Sequence, residues 1–451
     1  MRTSMSYDVG ICRETKNSWE RRAPLTPDQV RRLIGERGLR FAVQSDANRA
    51  FADEAYRTAG AAVTDNLEAC RAVIGIKEMP TGYFRPGGRY AFFAHVIKGQ
   101  AYNMPMLKRL IECGCDLFDY ERIVDDTGRR LVFFGRFAGI AGAVETLLAL
   151  GRRLAARGAG NPFEGLRPPH EYPDTNVLLK DVSALRHRIR REHLLESHAP
   201  LVIGIAGYGH VGRGVIEVLD ALGVVDVAPE ELPALFSLSG QAEFYRVVFR
   251  EEHMAEPIER DRVFHLEEYY RYPERFRPAF EERLPYLDAL INCVFWTERY
   301  PRLVTRDWLR GEFAKPDGPR LKVIGDISCD VRGAVEATVR VTDPGNPTYV
   351  YDPEADCAVE GTKGRGVVIM AVENLPCELP VDASEEFGRA LGPFIPGLAA
   401  CLDEGTEAES LPGPLARALI LRRGELTSEY RYLSRHLEQA GTADSGSPTT
   451  V

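Results

Sequence analysis

Short apolar runs bounded by Gly, Pro and Asp alternate along this chain with longer stretches in which apolar residues recur every three or four positions. The first pattern predicts buried strands and the second amphipathic helices. Their alternation predicts an α/β fold of doubly wound parallel sheets. Strands are expected over residues 7–12 and near Phe41, Val73, Phe92, Leu117 and Leu131. Thr26-Pro27 supplies a helix N-cap and first-turn proline. At Phe134 the run F-G-R-F-A-G-I-A-G opens a helix whose small residues permit close approach of a ligand or of another helix. This helix is expected to be the hinge joining two domains. The Pro-rich N-P-F-E-G-L-R-P-P-H-E-Y-P-D has no periodicity and is expected to be a surface connection. A charged helix is expected over residues 186–198, with His187, His193 and His198 solvated.

The apolar run from Leu201 leads directly into Gly207-Tyr208-Gly209-His210-Val211-Gly212 and then into an amphipathic pattern. A glycine triplet between strand and helix allows a tight turn and lets the helix N-terminus meet a pyrophosphate, which predicts a dinucleotide site. An acidic residue on the ribose is expected about 20 residues further on. Asp226 lies near that distance, but the better strand is F-Y-R-V-V-F, which ends at Arg250. An arginine there suits the 2′-phosphate of NADP; the alternative is a surface pair with Glu251 or Glu252. Two more apolar strands follow, the second placing Asp326 at its carboxyl end, on the ligand side of such a sheet. The last eleven residues, G-T-A-D-S-G-S-P-T-T-V, read as a disordered tail.

Residues 73–100 carry the candidate acid–base chemistry. V-I-G-I-K-E-M-P and Y-A-F-F-A-H-V-I-K-G-Q are two apolar runs joined by a turn-rich segment, delivering Lys77, His95 and Lys98 near their ends. Lysine is scarce here beside arginine, and unlike arginine it can surrender its proton when buried. A lysine and a histidine at adjacent strand ends form a possible acid–base pair. Spacing alone favours the blander reading, a lysine reaching solvent and a satisfied core histidine.

Composition narrows the class. The chain has 451 residues, 44% hydrophobic and 27% charged, long enough for two or three domains. A net charge of −9 argues against nucleic acid as a partner. No apolar run has the length of a membrane span, and the opening residues lack the apolar core of a signal peptide. Nine cysteines without a regular framework suit a reducing cytoplasm, where the protein is expected. Cys113-Gly-Cys115 has no second pair at ligand spacing, so no metal is expected.

Several longer runs carry a resemblance: R-E-T-K-N-S-W-E-R-R-A-P-L-T-P, Y-A-F-F-A-H-V-I-K-G-Q-A-Y-N-M-P, D-Y-E-R-I-V-D-D-T-G-R-R-L-V-F-F-G-R-F-A-G-I-A-G, R-Y-P-R-L-V-T and V-E-N-L-P-C-E-L-P-V-D-A-S-E-E-F-G. In these the chain resembles the lysine–2-oxoglutarate reductase (lysine-forming saccharopine dehydrogenase) family of the alanine dehydrogenase and transhydrogenase superfamily. Within that family it is similar to the reductase half of the bifunctional animal and plant enzymes, and the resemblance does not extend to their glutamate-forming half. The resemblance implies two Rossmann-like domains with a cleft between them. Residues 1–145, completed by about 350–440, would bind substrate, and 146–349 would bind the dinucleotide. It implies Lys77 and His95 as the acid–base pair, Lys98 and Glu121 lining the substrate, and Arg13 and Arg22 facing its carboxylates. Arg130 and residues 137–142 would lie where the cofactor meets the hinge. The implied reaction joins lysine to 2-oxoglutarate through an imine and reduces it to saccharopine, with NADP(H) preferred and NAD(H) possible. An amino-acid dehydrogenase using ammonia shares the fold, as does an opine-type synthase with another amine and keto acid. A nucleotide-binding module without catalysis is disfavoured by the presence of both Lys77 and His95.

Overall fold

The computed structural model describes residues 6–192, 194, 200–236, 244–400 and 411–443. The chain forms two compact units, Met1–Phe134 with Pro380–Val451, and Gly135–Leu379.

The first unit begins with β1 (Tyr7–Ile11), α1 (Pro27–Arg37), β2 (Phe41–Gln44), α2 (Asp53–Thr58), β3 (Ala62–Thr64), β4 (Cys70–Ile74), β5 (Arg89–Phe92), α3 (Met104–Glu112) and β6 (Asp116–Asp119). These six strands pair in parallel. Thr26 caps α1 as expected: its hydroxyl accepts from the Gln29 N–H, the Gln29 side chain accepts from the Thr26 N–H, and Gly38 closes the helix at φ 64°. A reciprocal cap of this kind stabilises a helix by about 1 kcal/mol.

The second unit holds α4 (Gly135–Ala156), α5 (Thr175–Arg191), β7 (Leu201–Ala206), α6 (His210–Leu222), β8 (Val225–Asp226), α7 (Leu232–Leu235), β9 (Phe244–Phe249), α8 (Glu251–Met254), β10 (Ala255–Pro257), α9 (Leu266–Arg271), β11 (Phe276–Pro278), β12 (Ala289–Asn292), α10 (Arg306–Phe313), β13 (Val323–Asp326), β14 (Thr348–Asp352), β15 (Cys357–Glu360) and β16 (Val367–Met370). Its sheet runs β15-β14-β16-β13-β12-β7-β9-β8, parallel except for β14 and β15, with β10 and β11 forming a separate ribbon. The strand order reverses at β7, so the crevice beyond its carboxyl end is where a doubly wound sheet takes its ligand.

The chain then returns to the first unit with α11 (Pro380–Leu391), α12 (Ile395–Ala400), α13 (Gly413–Ala418), β17 (Leu419–Arg422), β18 (Glu425–Leu426) and α14 (Leu433–Ala443). This completes a second eight-stranded sheet, β18-β17-β6-β5-β4-β1-β2-β3, with β17 and β18 antiparallel at its edge. Both units are therefore α/β with parallel-dominated sheets.

Several boundaries differ from the sequence expectation. The return falls at Pro380 rather than near 350. The reason is that β14 pairs with β16, which pairs with β13, so these strands extend the second sheet. The small-residue helix α4 begins where the second unit begins, at Gly135, and what approaches it closely is a helix. A Cβ added to Gly139 would overlap the Val211 carbonyl, and one added to Gly214 would overlap the Arg136 carbonyl, so α4 and α6 meet backbone to backbone. No strand forms at Leu131; an isolated bridge, Val124 to Arg130, closes a tight turn there. The Pro-rich stretch does not merely cross the surface, because Phe163 and Tyr172 are buried at 1% and 5% exposure. The charged helix starts at Thr175, capped by Asp174, and ends at Arg191; His187 is exposed, while His193 and His198 lie outside the described residues. The expected tail from 441 is helical through Ala443, and 444–451 lie outside the described residues. Among the described residues no helix is long and apolar enough to cross a membrane.

Candidate functional site

In the first unit, β4 and β5 run side by side with Ile74 opposite Ala91. The ladder continues past both strands, through Gly75 N–H to Ala91 O at 3.0 Å and Phe93 N–H to Ile76 O at 3.0 Å. Lys77 and His95 therefore leave adjacent strands just beyond their carboxyl ends. Glu78 links the two. Its Oε1 lies 2.6 Å from His95 Nδ1, its Oε2 takes Lys16 at 3.3 Å, and its charge also acts on Lys77. Burial, reinforced by the Arg22 guanidinium, holds the half-buried Lys77 ammonium below its usual range, with Glu20 and Glu78 pulling the other way. Burial would raise Glu78, but the His95 hydrogen bond and charge outweigh it and hold the carboxyl at about 2.

A carboxylate on Nδ1 fixes that nitrogen as the donor and leaves Nε2 to exchange a proton with a ligand. His95 is itself in the left-handed region at φ 48°, an uncommon conformation that surrounding structure must enforce. The Asn103 amide does so, donating to Ala94 O at 3.0 Å and His95 O at 3.2 Å. Tyr432 adds a hydroxyl bond to Ile97 O at 2.6 Å. Glu14 accepts the backbone N–H of Ile76 at 2.6 Å and of Lys77 at 3.0 Å. Burial and the neighbouring Glu20 charge push its carboxyl up to about 8. Beneath lies the fully buried Asp119, raised to about 7 by burial and then by Glu121.

The other expected substrate residues are placed less uniformly. Arg13 and Lys98 are exposed. Arg22 is 2% exposed; it grips Glu20 through Nε at 2.7 Å and Nη2 at 2.5 Å, with its Cζ 4.2 Å from the centre of the Phe134 ring. Its guanidinium fork is already committed to an internal carboxylate. Glu121 and Arg130, given separate roles from sequence, form one ion pair at 2.8 Å. Glu14, Glu78, Asn103 and Asp119 were missed. The first two stand within R-E-T-K and V-I-G-I-K-E, next to residues that were noticed, but nothing in spacing marks them out.

In the second unit, Gly207 turns out of β7 at φ 98°, which a side chain would strain. A Cβ on Gly212 would come 2.5 Å from the Gly207 carbonyl, whereas Gly209, the N-cap of α6, has open space around it. Tyr208, Gly209 and His210 are exposed, Val211 is half-buried, and the first N–H groups of α6 point from this end. The tight turn, open second glycine and helix N-terminus fit a dinucleotide pyrophosphate. Beside the loop is a cavity of about 400 Å³ walled by Tyr208, Tyr269, Tyr270, Phe295, Trp296 and Tyr300. Glu251 lies in its wall and accepts the hydroxyls of Tyr208, at 3.2 Å, and Tyr270. Arg250 stacks on the Tyr208 ring at 5.0 Å.

Asp226 is held by Arg246 at 2.6 and 3.0 Å. Asp326 is 1% exposed and accepts from Asn292 at 2.9 Å and Thr338 at 2.5 Å. Burial raises it to about 6 against those two bonds. It fastens strand ends together and does not line the cavity. The aromatic wall was missed, although H-L-E-E-Y-Y-R-Y-P and V-F-W-T-E-R-Y concentrate aromatic residues on both sides of it. Cys113 and Cys115 are buried, with Cys115 Sγ 3.3 Å from Arg85 O.

Comparison with known proteins finds two family domains along the chain. The alanine dehydrogenase/PNT N-terminal domain matches residues 10–141, and the corresponding C-terminal domain matches residues 199–429. An alpha-aminoadipic semialdehyde synthase of Arabidopsis thaliana is 35% identical over 444 residues, covering 95% of this chain and 41% of that protein. The chain thus spans less than half the length of that relative. A saccharopine dehydrogenase [NAD(+), L-lysine-forming] of Candida glabrata is 28% identical, covering 87% of this chain and 91% of its own. A solved L-alanine dehydrogenase shares the fold at a TM-score of 0.60 and 20% identity, covering 96% of this chain and 99% of its own.

Proposed function

Because this chain belongs to the alanine dehydrogenase/PNT family, we propose that it is a pyridine-nucleotide-dependent oxidoreductase acting on a CH–NH bond, joining L-lysine to 2-oxoglutarate and reducing the imine to saccharopine. The observation that carries this reading is a half-buried Lys77, held below its usual range, leaving the strand adjacent to that of a His95 fixed through Nδ1 by Glu78. Relatives named for lysine-forming saccharopine dehydrogenase and for alpha-aminoadipic semialdehyde synthase supply the substrates.

Imine formation needs one proton taken from the attacking ammonium and one given to the departing hydroxyl as water leaves. A desolvated lysine amine suits the first task and His95 Nε2 the second. The nicotinamide supplies hydride to the imine carbon when bound. In this chain Gly207, Tyr208, Gly209, His210, Val211 and Gly212 would hold its pyrophosphate, and the aromatic cavity its flat rings. Arg13, exposed at the end of β1, would meet a substrate carboxylate. Lys98 and Glu121 would border the substrate.

NADP(H) is read as preferred, on the guanidinium of Arg250 stacked against the loop, while the Glu251 carboxylate opposes a 2′-phosphate. Substitution of each separates the effects: Arg250→Ala should raise KM for NADPH more than for NADH, and Glu251→Gln should do the reverse. The cysteines described are unbridged, which suits a reducing compartment such as the cytoplasm. Initial rates test the reaction class. Oxidation of NADPH should require lysine and 2-oxoglutarate together; a requirement for ammonium with a keto acid would replace this reading by an alanine dehydrogenase type of reaction.

A further inference from the structure

A second cluster of titratable side chains lies in the Gly135–Leu379 unit, and none of its members lines the nucleotide cavity. Glu145 projects from the middle of α4 and is 1% exposed; Glu378, at the end of the unit, is 0% exposed. His170 stands on the short turn Pro169–Glu171 of the Pro-rich stretch, half-buried, with Nδ1 3.2 Å from Glu378 Oε2. One ligand atom from each of the three lies within 4.8 Å of the others. The Oε1 atoms of both glutamates are buried without a hydrogen-bond partner.

Two buried carboxyls this close cannot both ionise without a cation. A proton shared by the pair would relieve the repulsion through one bridge. A metal ion would neutralise it, engage both orphaned oxygens and use the imidazole as well. The histidine–glutamate separation of 3.2 Å is close to that of two ligands on one tetrahedral ion, roughly 3.3–3.5 Å for bonds near 2.0–2.1 Å. The partly exposed imidazole gives an entry path.

We infer that Glu145, His170 and Glu378 form a binding site for a divalent cation of the Zn²⁺ or Mn²⁺ kind. Two carboxylates and one imidazole suit that class better than Ca²⁺ or Mg²⁺, which prefer all-oxygen shells. The ion would staple three separate segments: α4, the Pro-rich turn and the last residues before the chain leaves this unit. That accounts for a proline-rich connection without periodicity being packed inward at Phe163 and Tyr172.

The test uses the full-length, tag-free protein, stripped with EDTA and exchanged into chelator-free buffer. It is then titrated separately with Zn²⁺ and Mn²⁺ by calorimetry, with melting temperature recorded alongside. At least one of the two ions should bind at one equivalent and raise the melting temperature by about 2–4 °C at a hundredfold excess over its Kd. Glu378→Gln should abolish that binding. His170→Ala, at a half-exposed position that tolerates truncation, should weaken it by about tenfold or more and carries the test if the glutamine variant does not fold. A folded protein that takes up neither ion would overturn the inference and leave the pair holding a shared proton. Uptake unchanged by His170→Ala would overturn it equally, by placing the ion elsewhere.

Discussion

At the scale of single residues, what matters is how each charge is compensated. Lys77 is tuned by burial and by the charges of Arg22, Glu20 and Glu78, whereas His95 is fixed by one short bond to Glu78. Lys77→Met and His95→Gln should each lower kcat/KM by about 10²–10⁴-fold, with the Kd for reduced nucleotide nearly unchanged. Fluorescence titration with NADPH beside steady-state rates separates the two effects. Glu78 carries a pH consequence. Its folded pKa of about 2 lies below the ordinary glutamate value of 4.5, so its contribution to stability is complete above the unfolded pKa. That contribution should be lost as pH falls from about 4.5 towards 2, and Glu78→Gln should flatten the fall in melting temperature over that window. Arg22 acquires a structural partner that its sequence context does not show. A basic residue in a polar loop reads as a substrate clamp, but here it neutralises a buried glutamate. Arg22→Ala should therefore destabilise the protein by about 3–5 kcal/mol in denaturant melts, rather than raise a KM in a stable enzyme.

Elements whose identity rests on local chemistry were legible. The cap at Thr26, the strand from Leu201 and the glycine turn at Gly207 each follow from residues adjacent in the chain. What escaped depends on tertiary partners. The strands β17 and β18 are short, and become strands by pairing, β17 against β6 and β18 against β17. Glu14, Asn103 and Asp119 are ordinary polar residues until folding brings them under the Lys77 and His95 loops. The small-residue run of α4 was recognised for close approach, but only the structure shows that α6 is what approaches. Gly139→Ala or Gly214→Ala should force these helices apart and cost about 1–3 kcal/mol, read as a lower melting temperature. Gly209→Ala meets no protein atom, so it should leave stability nearly intact while weakening nucleotide binding.

At the scale of the whole molecule, one continuous segment, Gly135–Leu379, is inserted into a unit assembled from both ends of the chain. The inserted segment contains its entire sheet, and expressed alone it should fold and retain nucleotide affinity. Residues 1–134 alone should not fold, because β17 lies against β6 and α11 receives the Ala23 N–H through Ser384 at 2.9 Å. The proposed reaction releases a proton in the direction of saccharopine oxidation, so that direction should gain as pH rises. The proposed reaction forms one diagnostic bond, between the lysine ε-nitrogen and the former keto carbon of 2-oxoglutarate. Incubation with lysine labelled with ¹⁵N at the ε position, 2-oxoglutarate and NADPH, followed by mass spectrometry of the product, reads that bond directly. A single product containing both carbon skeletons and the ¹⁵N label is expected; an amino acid formed from the keto acid and free ammonium, with labelled lysine left unchanged, would overturn the proposed reaction.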